Sequence, residues 1–79
     1  MIKKITELNS KESAKVISIE GGRNFKEKLN TLGIRKNIKI KKVSDSFLKG
    51  PIVIKINLME IAIGWGMASK ILVQTDLLK

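Results

Sequence analysis

Cysteine and histidine are both missing from these 79 residues. Their absence excludes disulfides and thiolate metal sites. It also removes the two commonest soft-metal ligand types, the His-based triads and the thiol nucleophile. Tyrosine is absent too, tryptophan occurs once and phenylalanine twice. That is little aromatic surface for stacking nucleic-acid bases. Acids are scarce: seven against sixteen Lys and Arg, a formal net charge of +9. Glu7, Glu12, Glu20, Glu27, Asp45, Glu60 and Asp76 are scattered along the chain. None forms the close pair that general acid–base chemistry uses. Gly21-Gly22 stands outside any GxxxxGK[ST] pattern, so it is no phosphate loop. The expectation is a protein that is not an enzyme, with no cofactor, no small-molecule substrate and no metal ligands. No apolar run approaches the ~20 residues that span a bilayer. Met1-Ile2-Lys3-Lys4 opens on no apolar core of signal-peptide length, so the cytoplasm is the expected location.

What is there begins with length. One domain, 1–79, is expected, with a thin core. The stretch from Gly21 to Gly33 is its one helix pattern. Phe25, Leu29 and Leu32 recur at spacings of four and three and share a face. Arg23, Lys26, Glu27 and Asn30 take the other face. Gly21 and Gly22 turn the chain out of the preceding strand. Asn24 is expected to cap the first turn. Gly33 is expected to end the helix in a left-handed conformation, with Ile34 as the hydrophobic contact that follows. So short an apolar stripe must lie against strands.

Those strands read as 14–20, 38–43, 52–57, 60–63 and 71–74. Residues 1–13 are mixed, with Leu8 as anchor and Asn9 to Ser13 as a loop. Ile34 to Asn37 is a turn, and Asn37 suits a positive φ there. Ile38-Lys39-Ile40-Lys41 alternates between one apolar and one basic face. The alternation then slips: Lys42 falls where an apolar residue is due and Val43 takes over, the mark of a bulge. Pro51 opens the next strand, where a missing N–H is tolerable. Gly64-Trp65-Gly66 breaks the fourth strand, Met67 to Lys70 forms a single turn, and Thr75 to Lys79 is a tail. Short strands separated by turn signals predict a mainly β fold, a small five-stranded barrel with one inserted helix at about 23–33. Closure of that barrel would remove exposed edges. Gly22, Phe25, Leu29, Leu32, Gly33 and Pro51 define the fold in this reading.

Three features offer an interface. One is the basic helix face and its exit, with Arg23, Lys26, Arg35 and Lys36. A second is the loop pair Phe47-Leu48, which either caps the barrel end or anchors a partner. The third is Trp65 between two glycines, either half-buried or standing out as a docking residue. The Phe47-Leu48 loop and the tail pair Leu77-Leu78 also offer a surface for a homo-oligomer.

The order of these pieces carries a resemblance. A strand, Gly21-Gly22, a helix with Lys28-Leu29-Asn30-Thr31-Leu32-Gly33-Ile34, a turn and a strand come first. Gly50-Pro51-Ile52-Val53-Ile54, Ile61-Ala62-Ile63, Ala68 and Ile71-Leu72-Val73 follow. From about Ile5 to Gln74 the chain resembles the FeoA (ferrous iron transport protein A) family. The resemblance implies an SH3-like β-barrel with an inserted helix. It implies a small cytosolic accessory protein of bacterial ferrous iron uptake, acting by contact with the cytosolic GTP-binding region of the membrane transporter FeoB. Direct Fe²⁺ binding would have to use carboxylates alone. The chain departs from the family pattern at Asn37 and Leu58, where glycines are frequent. It departs again at Gly64-Trp65, where basic residues are usual. The alternative reading is a basic barrel that binds nucleic acid.

Overall fold

The computed structural model describes residues 1–44 and 48–75. Isoleucine and valine at every second position build the sheet, because branched side chains fit a pleated, half-buried surface. The strands are β1 (Ile2–Lys4), β2 (Ser13–Ile19), β3 (Lys39–Ser44), β4 (Ile52–Ile56), β5 (Met59–Ile63) and β6 (Ile71–Thr75). All pairs are antiparallel, in the order β1-β6-β2-β3-β4-β5. The class is the mainly β barrel that the turn spacing predicts, with six strands in place of five. The sixth is β1, which lies in the segment read as mixed; its three residues are too few to show a period. A 3-10 turn, Ile5–Glu7, follows it and buries Ile5. The hydrogen-bonded order begins at β1 and ends at β5, so the ladder does not close and these two strands form its edges.

Two bulges bend the sheet. One lies between Lys42 and Ser44 opposite β4, so the extra residue is Val43. The predicted bulge is therefore present, but Lys42 is not the residue out of phase. It points inward with Ile40 and is fully buried. The other bulge lies between Val16 and Ser18 and has no sequence signal.

The helix α1 spans Arg23–Thr31, two residues shorter than expected. Its N-cap is Gly22, which offers no side-chain bond, and Asn24 lies within the helix rather than capping it. The C-terminus follows expectation. Gly33 has φ +91°, its N–H donates to the Asn30 carbonyl at 2.9 Å, and the Ile34 N–H donates to the Leu29 carbonyl at 2.9 Å. These two bonds are a Schellman motif, and the fully buried Leu29 and Ile34 are its apolar pair. Phe25 and Leu32 pack against the same core, half-buried. A second helix, α2, is one turn at Trp65–Ala68, so it starts two residues earlier than the sequence suggests. Thr75 belongs to β6 rather than to a tail.

Of the two glycines before α1, geometry requires Gly21. It has φ +125°, and a Cβ there would sit 2.9 Å from Phe25 Cδ2, whereas a Cβ on Gly22 would meet nothing within 4 Å. Lys70 Nζ lies over the Phe25 ring, 5.1 Å from its centroid, a contact that a displaced ring would lose. Gly21→Ala is expected to destabilise the fold by about 2 kcal/mol. Gly22→Ala should change stability by less than half as much. Equal losses in urea denaturation would contradict this assignment.

Candidate functional site

The β4–β5 hairpin turns on two residues, Asn57 and Leu58, since Ile56 pairs with Met59. Asn57 supplies the one positive φ, +56°. Asparagine takes that conformation more readily than most residues. Leu58 therefore occupies a turn position open to any side chain, and its own points out, 94% exposed. Met59 beside it is 55% exposed. The chain leaving α1 passes next to this tip. Gly33, Arg35 and Ile38 on one side and Ile56, Asn57, Leu58 and Met59 on the other line an open groove of about 380 Å³. The groove has an apolar floor and wall, with the exposed guanidinium-bearing Arg35 at its rim.

Of the described residues expected to meet a partner, Arg35 alone lines this groove. Arg23 and Lys26 stand exposed on α1, and Lys36 is exposed in the turn that follows. Leu48 is 84% exposed, in a turn where it and Lys49 have φ +54° and +61°, so it does not cap the barrel. Phe47, its predicted companion, lies outside the described residues, as do Leu77 and Leu78. Trp65 opens α2 half-buried against the core, the first of its two alternatives. Pro51 lies exposed just before β4, as expected. Met59 was not among the predicted contacts, and Leu58 entered only as a departure from the family. The signal available for both was a large apolar residue next to asparagine in a two-residue turn.

Lys42 is the other residue whose role the sequence hides. Its Nζ donates to the carbonyl oxygens of Leu8 at 2.6 Å and Thr6 at 3.4 Å. It thereby satisfies the end of the 3-10 turn from inside the barrel. The segment is tied further by Glu12, which accepts from the Asn9 N–H at 2.9 Å and pairs with Lys3 at 3.5 Å. The Asn9 bond above all holds the Glu12 carboxyl below the usual glutamate range against the opposing effect of desolvation, with smaller help from Lys3 and Lys42. Among the described residues no group of three His, Cys, Asp or Glu side chains is placed to hold a metal ion. No helix among them is long and apolar enough to cross a membrane.

The sequence profile of the FeoA domain family matches residues 3–75. The chain belongs to the FeoA family. A crystal structure of an iron uptake regulatory protein (FeoA) is 29% identical with a TM-score of 0.89, covering 96% of this chain and 100% of that one. A solution structure of iron(II) transport protein A from Clostridium thermocellum is 27% identical with a TM-score of 0.85, covering 92% of this chain and 45% of that one. A manganese-dependent transcriptional repressor superposes with a TM-score of 0.86 at 14% identity, and this chain spans 42% of it. At that identity the likeness shows the shared fold alone. No curated protein matches.

Proposed function

We propose that this FeoA protein acts in ferrous iron transport as a non-enzymatic accessory. Residues 1–79 work as one FeoA domain in the cytoplasm, at the inner face of the membrane. The domain docks on the cytosolic GTP-binding region of FeoB through the groove at the β4–β5 hairpin. The observation that carries this reading is the exposed pair Leu58-Met59 beside Arg35, on a chain whose FeoA match covers 3–75. An apolar anchor rimmed by a cation is the usual build of an interface centre. Lys36 follows the same helix exit, Arg23 and Lys26 stand exposed on the first turn of α1, and together they supply charge that steers an acidic partner.

Capture of the FeoB cytosolic region by the immobilised protein, with and without guanine nucleotide, tests it. Binding is expected at tens of micromolar or tighter. Leu58→Ser is expected to weaken it about tenfold or more. Because Leu58 is almost fully exposed, the melting temperature should stay where it is. Undiminished capture by Leu58→Ser/Met59→Ser would remove the groove from the proposal. No capture by the wild type in either nucleotide state would remove the partner.

A further inference from the structure

The outer face of the sheet carries a block of lysines that strand pairing places side by side. Lys15 on β2 stands opposite Lys39 on β3, and Lys41 on β3 stands opposite Lys55 on β4. Lys39 and Lys41 are two residues apart and share that face. One row reads Ile2, Gln74, Lys15, Lys39 across four strands; the next reads Ser13, Lys41, Lys55, Glu60. Lys4, opposite Leu72, extends the same face on β1. Like charges directly opposite one another destabilise a sheet. None of Lys15, Lys39, Lys41 and Lys55 makes an ion pair with a described residue. Glu60 opposite Lys55 offsets part of the Lys41–Lys55 repulsion, whereas Lys15 and Lys39 have no acid among the described residues opposite them. The remaining like-charge cost is one that an anionic surface would relieve.

We propose that this sheet face is a docking surface for an anionic lipid bilayer. Its chemistry favours a bilayer over a nucleic acid. The cations are all lysines, with none of the planar arginine forks that read phosphates in pairs. Among the described residues no aromatic side chain stands on the face to stack on a base. In the Lys15–Lys39 row, Ile2 is 61% exposed, and Met1 beside it is 63% exposed. These are apolar side chains suited to the headgroup boundary next to a basic patch. The helix α1 buries Leu29 in the barrel interior, so the bilayer face and the helix lie on opposite sides of the sheet. The proposal stands apart from the FeoB reading, because the Leu58 groove takes no part in it.

Vesicle co-sedimentation of the full chain at low salt tests it. Phosphatidylcholine vesicles alone are compared with vesicles carrying phosphatidylglycerol. The wild type is expected to sediment with the anionic vesicles only, and to be released as salt rises. Each lysine near such a surface strengthens binding by about fivefold, so Lys15→Glu/Lys41→Glu should bind at least about tenfold more weakly. The same variant turns like-charge pairs into opposite ones, so its melting temperature should rise. Lys28→Glu/Lys70→Glu carries the same net charge change on the helix side and should keep most of the binding. Four outcomes would overturn the proposal. These are equal loss in both variants, no sedimentation of the wild type, a lowered melting temperature for Lys15→Glu/Lys41→Glu, or tighter binding to duplex DNA than to anionic vesicles.

Discussion

Leu29→Ala is expected to remove about 2–5 kcal/mol of stability, the range for truncating a fully buried leucine. Leu29 is wholly buried, and its side chain is also half of the apolar Leu29–Ile34 pair that accompanies the Schellman motif. Two losses therefore coincide. The barrel gains a cavity at its centre, and α1 loses the anchor that holds it down. A helix of nine residues cannot stand alone in water, so without that anchor it frays. A domain of this size has roughly 4–12 kcal/mol in total. The melting temperature should therefore fall by about 10–30 °C. Urea denaturation with far-ultraviolet circular dichroism measures it. A loss below about 1 kcal/mol would mean that the helix is an ornament on a self-sufficient sheet.

Replacing Lys42 is the second large effect. Moving an ammonium out of water is costly unless its donors are met, and two carbonyl oxygens receive two of the three here. Lys42→Ala leaves the buried Leu8 carbonyl without its donor and opens a void, for an expected loss of about 2–4 kcal/mol. Lys42→Met fills the void but donates nothing, so it should fall between the alanine variant and the wild type. The comparison separates packing from hydrogen bonding. If Lys42→Met proves as stable as the wild type, the carbonyl bonds contribute nothing net, and the lysine is only filling space.

Lys42 also shows where reading a sequence by period falters. The alternation Ile38, Ile40, Lys42 is intact in the structure, and the inward position is merely filled by a charged residue. Judged by hydrophobicity, it looks like a slip. The carbonyls of a segment 34 and 36 residues away, far beyond the reach of any local pattern, help to hold a cation there. Gly33 presents the opposite case. Its conformation and the two bonds around it depend on six consecutive residues, so the helix end is legible from Leu29-x-x-Leu32-Gly33-Ile34. The N-terminal end was not, because Asn24 and Gly22 both suit a cap and the exit from β2 chose between them. Leu58 was visible as an unusual turn residue, but its meeting with Arg35 in one groove was not. That meeting depends on how the helix exit passes the hairpin.

By itself, then, the chain's order of residues determined what is local: the apolar faces of α1 and of the strands, the left-handed positions at Gly33 and Asn37, the family, and the poverty of catalytic groups. Strand partners, register and the unclosed seam between β1 and β5 came from the tertiary structure. Lys15 faces Lys39, and Lys41 faces Lys55, only because those strands pair in that register. A one-residue slip would have turned each set of side chains to the other side of the sheet. The physical reason is reach. Periodicity and turn chemistry act over a few residues, whereas pairing is decided by burial across the whole molecule.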